Sequence, residues 1–184
     1  MAKGGKSTKS SGAKVWATLR IALGLILLWA FMDKMFGLGY STCRTIDAKT
    51  KVETVKVLCT KTAAKGGSPT LGFLKNSPKG PFKAQYNKIA GNKVADILFM
   101  SGLLLIGLSL ISGVGIKIAA VSGILLMLMM WSAVLPPAQH PFLDDHIIYA
   151  IIMFGLIVTN NEQVWGLGKW WQSHKLVKKY PLLA

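Results

Sequence analysis

The chain has 184 residues, of which 52% are hydrophobic and only 16% are charged. A soluble domain usually carries about a quarter charged residues, so this composition excludes an ordinary soluble domain and indicates a single integral membrane protein. The net charge of +15 would suggest nucleic acid in a soluble protein, but the basic residues fall in the tails and one long loop. We therefore expect anionic lipid headgroups or an anionic substrate, and no nucleic acid.

The first two segments are a basic tail and an apolar run. Residues 1–14 are rich in lysine, serine and glycine without apolar periodicity, which predicts disorder. Residues 15–36 are long enough to cross a hydrocarbon core of about 30 Å, and no cleavage site follows, so we predict a retained transmembrane helix. Arg20 near its start is expected to meet phosphate headgroups, and Asp33-Lys34 lie near its other end.

A long polar connection follows at residues 37–93 and divides in two. Within residues 40–65, the alternation from Thr54 to Leu58 predicts a strand, and Cys43 and Cys59 are predicted to flank a hairpin that turns near residues 47–51. A structural disulfide between these cysteines is the first expectation, with a redox-active pair or free thiols as alternatives. Residues 66–93 mix prolines with aromatic residues, which predicts short amphipathic helices on the bilayer surface.

Three further apolar runs predict the other spans of a four-helix transmembrane bundle over residues 15–160. They lie at residues 94–112, 116–135 and 145–159, and the pair Pro136-Pro137 ends the third helix. Residues 161–184 combine tryptophan and lysine, which predicts an interfacial amphipathic helix. The fold class is therefore an all-α membrane protein with a small loop subdomain.

The short flanks predict the orientation of this multi-pass protein. Lysines cluster in both terminal flanks, whereas the connection at residues 136–144 has none. The positive-inside rule then places both termini in the cytoplasm and the loop 37–93 outside the cytoplasmic membrane. The loop is itself strongly basic, but long loops carry little weight in that rule.

In this orientation, charged residues from several helices fall at the outer end of the bundle, namely Asp33, Lys34, Asp96 and the triplet Asp144-Asp145-His146. Charges near hydrocarbon are costly, so such groups pair or line a polar cavity. Lys34 is the cation expected to neutralise an aspartate there, while paired carboxylates and His146 would exchange protons near neutral pH. The structural alternative is that the aspartates only cap helices.

A series of short motifs, taken in order and spacing, resembles the DoxX/DoxD family of small four-helix membrane proteins. The motifs are Arg20-x3-Gly24, Asp33-Lys34, Gly66-Gly67-Ser68-Pro69-Thr70-x-Gly72-Phe73-Leu74, Gly80-Pro81-Phe82, Ala90-Gly91-Asn92, Leu98-Phe99-Met100, Lys117 to Ala120, His140 to His146 and Gly166-Leu167-Gly168-Lys169-Trp170-Trp171. The lysine-rich insertion at residues 40–65 departs from the family pattern.

The resemblance implies a quinone-linked function, because family members include the small membrane subunit of a thiosulfate:quinone oxidoreductase. The bilayer and other membrane or extracytoplasmic oxidoreductase subunits are the partners it implies. A quinone would lie among the helix ends, where titratable groups accompany its proton-coupled reduction. We expect catalytic roles for Asp144, Asp145, His146 and Asp96, and quinone contacts from Asp33, Lys34 and Trp131.

Other cofactors and functions are less favoured by the residues. Haem ligand pairs, flavin motifs and cluster-binding cysteines do not appear, so no metal, haem or flavin is expected. A non-catalytic accessory subunit of a larger complex, such as a terminal oxidase, is the alternative function. A transporter is weaker, because no predicted span is broken.

Overall fold

The computed structural model describes residues 5–47, 50–138, 140–159 and 164–183. These residues form eight α-helices and one two-stranded sheet. In chain order the elements are α1 (Gly5–Phe36), β1 (Arg44–Ile46), β2 (Glu53–Val55), α2 (Leu71–Asn76), α3 (Lys83–Ile89), α4 (Lys93–Ser112), α5 (Ile116–Val134), α6 (Asp145–Thr159), α7 (Gly168–Ser173) and α8 (Lys175–Lys179).

Among the described residues, three helices are long and apolar enough to cross a membrane, namely Ser11–Phe36 of α1, α4 and α5. Helix α6 is also apolar but has 15 residues, fewer than the roughly 20 that an upright span needs. By length and composition, three of the four predicted spans are therefore candidates for crossing a membrane.

Helices α1, α4, α5 and α6 share one apolar core. Buried side chains from all four helices meet there, including Leu27, Leu110, Ala120 and Met153. The outward faces of the same helices are exposed and equally apolar: Ile26, Leu105, Leu125 and Phe154. Because these helices are hydrophobic all round, their outer faces fit lipid and not water.

Helices α1 and α4 approach each other closely at two glycines. A β-carbon on Gly24 would lie 2.9 Å from the carbonyl oxygen of Gly107, and one on Gly107 would lie 3.1 Å from the backbone nitrogen of Leu28. Small residues allow this approach, and dispersion contacts between the two backbones stabilise the pair in a lipid environment.

Contacts define two ends of the core. At the loop end, the carbonyl of Gly37 after α1 accepts from Leu58, and Lys79 donates its backbone N–H to Ala133 near the end of α5. At the terminal end, the carbonyl of Ser112, the last residue of α4, accepts from the backbone N–H of Leu167. The loop end therefore carries residues 37–92, and the terminal end carries the last segment of the chain.

A small hairpin at the loop end confirms two predictions. Strands β1 and β2 pair antiparallel with Thr45 opposite Thr54, and a disulfide joins Cys43 to Cys59. The second strand is Glu53–Val55 and not the predicted Thr54 to Leu58. Beyond Val55, Lys56 still donates its N–H to Cys43, but Leu58 has a φ of 58° and donates to Gly37, so the chain has left the strand by that residue.

The remaining part of the loop-end segment contains the predicted short helices, α2 and α3. Tyr86 of α3 attaches this part to the core, because its hydroxyl lies 2.9 Å from the carbonyl oxygen of Met129 and 2.5 Å from the hydroxyl oxygen of Ser132. Asn92 begins α4 as its N-cap, since its side chain accepts from the backbone N–H groups of Val94 and Ala95.

The last described segment differs from the single interfacial helix that the sequence predicts. His174 has an extended backbone, with φ of −66° and ψ of 139°, and separates α7 from α8. The segment also folds onto the terminal end, where Lys117 Nζ donates to the carbonyl of Pro181. A single straight helix could not return to this contact.

The prediction that Arg20 meets lipid phosphates is wrong. The Arg20 side chain is buried, with 3% of its surface exposed, and its Nη2 donates to the carbonyls of Val164 and Trp165 at 3.2 and 3.1 Å. The segment after α6 covers the guanidinium, which the local sequence around Arg20 does not indicate.

Helix α1 begins at Gly5, within the tail 1–14 predicted to be disordered. Extending an existing helix costs less than nucleating a new one, so the apolar span continues into the polar tail. Residues 1–4 lie outside the described residues.

Candidate functional site

A cleft of about 610 Å³ opens at the loop end between the loop-end segment and the α5–α6 connection. Its polar lining comes from Ser77, Lys79, Asp144 and Asp145, and its apolar lining from Val134, Pro137, Ala138, Leu143 and Ile148. The cleft therefore joins a titratable pair of carboxylates to one cation and an apolar wall. Such a mixed lining suits a ligand that has both apolar and polar parts.

Asp144 begins helix α6 and orients a histidine. Its Oδ1 accepts from the backbone N–H of Ile147 at 3.2 Å, and its Oδ2 lies 2.7 Å from Nδ1 of His146. Both side chains are largely buried, with 12% and 18% of their surfaces exposed. Asp144 therefore combines two predicted features: it caps the helix, and it contacts another residue of the triplet.

Asp145 is left exposed at the first turn of α6. It makes no hydrogen bond or ion pair with a described residue, and it lines the cleft beside Asp144. Negative charge at a helix N-terminus is favourable, so the carboxylate suits this position without a protein partner. Asp145 is therefore the carboxylate available to a ligand.

Lys79 is the cation of the cleft, a residue that we did not single out in the sequence. Its backbone N–H donates to Ala133, and the next residue, Gly80, is so close to α5 that a β-carbon would lie 2.6 Å from the carbonyl oxygen of Leu135. Gly80 has a φ of 61°, which favours glycine. In the sequence, the Gly80-Pro81 pair could have indicated the position of Lys79. A Gly-Pro pair marks a turn, and this turn packs closely against the end of α5.

Trp131 and His140 hold the connection that borders the cleft. Trp131 Nε1 donates to the carbonyl of Phe142 at 2.7 Å. Nδ1 of His140 accepts from the backbone N–H groups of Phe142 and Leu143 at 3.1 and 3.0 Å. Trp131 is a predicted quinone contact. In the structure its indole N–H binds the α5–α6 connection.

Asp33 binds the chain that follows α1 and does not line the cleft. It is 1% exposed and accepts from the backbone N–H groups of Tyr40, Ser41 and Thr42, and from the Ser41 hydroxyl at 2.8 Å. Lys34, predicted to neutralise an aspartate, donates to the Ser41 hydroxyl at 3.2 Å. Among the described residues no aspartate oxygen lies within ion-pair distance of Lys34 Nζ, although the charges of Lys34 and Asp33 interact.

Asp96 holds a different part of the loop-end segment. Its Oδ1 accepts from the hydroxyls of Ser68 and Thr70 at 2.9 and 2.6 Å and from the backbone N–H of Thr70. The carboxylates of the three helices therefore lie at the same end, but each has its own partners. Of these carboxylates, only those of Asp144 and Asp145 line the cleft.

Comparison with known protein families, characterised proteins and solved structures finds no match. The DoxX/DoxD resemblance therefore stays a prediction based on the motifs.

Proposed function

We propose that this chain is the membrane subunit of a quinone-linked oxidoreductase complex, with the quinone ring in the loop-end cleft. The observation that carries this proposal is the position of Asp145, an exposed carboxylate that makes no hydrogen bond or ion pair with a described residue, in a cleft with an apolar wall. The fixed Asp144–His146 pair lies beside it. Of the predicted site residues we keep Asp144, Asp145 and His146, and we add Lys79.

Reduction of a quinone to a quinol takes two electrons and two protons. A partner subunit supplies the electrons by oxidising its own substrate, for which the family resemblance suggests a reduced sulfur anion such as thiosulfate. Joining two thiosulfate ions through an S–S bond releases the two electrons required. In this proposal Asp145 delivers a proton to one quinone oxygen directly, and His146, which does not itself line the cleft, delivers the second through Asp144, the cleft residue that it contacts. Lys79 would attract the developing negative charge.

The proposal includes four spans, with α6 as the fourth, both termini in the cytoplasm and residues 37–92 outside. Helix α6 contributes to the shared core, and a disulfide in the loop-end segment fits an oxidising compartment. A short span is accommodated by local thinning of the bilayer. Labelling of single cysteines placed in the hairpin and in the last segment, in intact and in opened cells, tests this orientation.

The central experiment is extraction of lipids from the protein purified in mild detergent. We expect about one quinone per chain, and its loss in Asp145→Asn and Lys79→Met. Glu53→Gln is the matched control, because Glu53 is an exposed acid of the hairpin, paired with Arg44. Equal quinone content in Asp145→Asn and Glu53→Gln would contradict the proposed site.

A non-catalytic accessory subunit is the second candidate, favoured by the use of Asp33, Asp96 and Trp131 in hydrogen bonds within the chain. In that case the purified complex contains no quinone bound to this chain. The activity of the complex would then be the same with Asp145→Asn, His146→Ala and the unaltered chain.

A further inference from the structure

The acidic residues among the described ones are confined to one end of the core, whereas basic residues lie at both ends. The acidic residues all lie at the loop end: Asp33, Asp47, Glu53, Asp96, Asp144 and Asp145. At the terminal end the described charged residues are all basic: Lys14, Arg20, Lys117, Lys169, Lys175, Lys178 and Lys179. Glu162 lies outside the described residues. The terminal end therefore has a strongly positive surface beside the ends of the membrane helices.

Residues 164–183, here called the platform, are attached to the core and do not extend from it as a tail. Arg20 binds the platform from α1, Ser112 accepts from Leu167, and Lys117 donates to Pro181. Val177 of α8 is 3% exposed. The platform thus has an inner face packed on the core, and most of its other side chains are exposed.

The outward side chains of the platform are aromatic, aliphatic and basic. Large apolar side chains are half exposed or more: Trp165, Leu167, Trp170, Leu176, Tyr180 and Leu182. Lys175, Lys178 and Lys179 follow the i, i+3, i+4 spacing that places side chains on one side of a helical turn. Nζ of Lys179 lies 5.5 Å from the centre of the Tyr180 ring.

We propose that the platform binds anionic phospholipids of the adjacent leaflet in preference to zwitterionic ones. Lys175, Lys178 and Lys179 contact the lipid phosphates, while Trp170, Leu176 and Tyr180 enter the headgroup region. Lysine attracts an anionic membrane surface, and indole and phenol rings partition to the membrane–water interface.

The aromatic residues distinguish a lipid surface from a surface for an acidic protein. The hairpin at the loop end also exposes lysines, Lys51 and Lys56, but its exposed apolar residues are mostly aliphatic, such as Ile46 and Val57. The loop end has one exposed tryptophan, Trp29, whose ring packs edge-on against Tyr40, whereas the platform exposes two, Trp165 and Trp170, in the same short segment as its lysines. This inference is independent of the quinone proposal.

The test uses the full chain reconstituted in phosphatidylcholine bilayers that contain a small share of brominated lipid, which quenches tryptophan fluorescence on contact. Brominated phosphatidylglycerol and brominated phosphatidylcholine are compared at the same share. We expect stronger quenching by brominated phosphatidylglycerol than by brominated phosphatidylcholine. This preference should fall on the order of fivefold for each platform lysine replaced by glutamine. It should also decline with added salt.

Two triple variants provide the controls. Lys175/Lys178/Lys179→Gln should abolish the preference, whereas the arginine triple at the same positions should retain it, and retention also shows that the platform tolerates substitution. Lys51/Lys56/Lys61→Gln at the loop end removes the same charge and should leave the preference unchanged. Equal quenching by the two lipids in the unaltered chain, or equal loss in both glutamine triples, would overturn the proposal.

Discussion

Nδ1 of His146 lies 2.7 Å from Oδ2 of Asp144, while the other oxygen of the same carboxylate accepts the backbone N–H of Ile147. One aspartate therefore begins α6 and also fixes the orientation of a titratable ring. Its neighbour Asp145 is not needed for either task. The two adjacent aspartates thus differ in their contacts: both line the cleft, but Asp144 alone caps α6 and contacts His146.

Replacement of these two aspartates should separate the roles. Asp144→Ala removes a helix cap and should lower the free energy of unfolding by about 1 kcal/mol. Asp145→Ala removes an exposed side chain without a hydrogen-bond partner, and its effect should stay within about 0.5 kcal/mol. Thermal unfolding in detergent measures both. A larger loss in Asp145→Ala than in Asp144→Ala would contradict the assignment.

Asp33→Ala should be more damaging than Asp144→Ala. The substitution leaves the backbone N–H groups of Tyr40, Ser41 and Thr42 without their acceptor beside a buried site. Each unsatisfied donor costs about 1–3 kcal/mol when water does not replace the partner. We expect lower stability and faster proteolysis between residues 37 and 58. Glu53→Ala is the control, because an exposed ion pair contributes at most about 1 kcal/mol.

The close contact between α1 and α4 predicts opposite effects of one substitution at two sites on α1. Gly24→Ala places a methyl group 2.8 Å from a side-chain carbon of Ile111 and 2.9 Å from the Gly107 carbonyl, and should destabilise by about 1–3 kcal/mol. Gly12→Ala meets nothing within 4 Å and should stabilise the helix by up to about 1 kcal/mol. Parallel thermal unfolding of both variants measures the difference, and equal melting temperatures would exclude the close approach.

Loss of the disulfide should unfold the hairpin locally and leave the helices intact. Cys43 and Cys59 are 16 residues apart, and a cross-link of this length contributes on the order of 3 kcal/mol by the loop-entropy model. A two-stranded hairpin is marginal without such support. In Cys43→Ser/Cys59→Ser, limited proteolysis should cut between residues 44 and 55, while circular dichroism keeps its helical signal. Resistance equal to that of the oxidised chain would show that the hairpin is held by other contacts.

The candidate site could be predicted only in part. The acid–acid–imidazole triplet and its position before an apolar run indicated the start of α6, since capping is a local interaction. The sequence could not indicate that Lys79 lies near this triplet, because Lys79 belongs to a turn that is distant in the chain and reaches the cleft only in the folded structure. The predicted gathering of Asp33 and Asp96 with the triplet assumed that charges at one membrane depth meet. Instead, Asp33 accepts from the backbone N–H groups of residues 40–42, and Asp96 accepts from the hydroxyls of Ser68 and Thr70.

The sequence by itself determined that this is a membrane protein, where its long helices lie and that two cysteines flank a hairpin. These properties follow from apolar content and turn residues summed over a short stretch of chain, so no distant contact is needed to predict them. The tertiary structure decided that Arg20 is buried under the platform and that Lys79 lines the same cleft as Asp144 and Asp145. A hydrogen bond or a binding site requires atoms within a few ångströms, and only the packing of distant segments brings these atoms together.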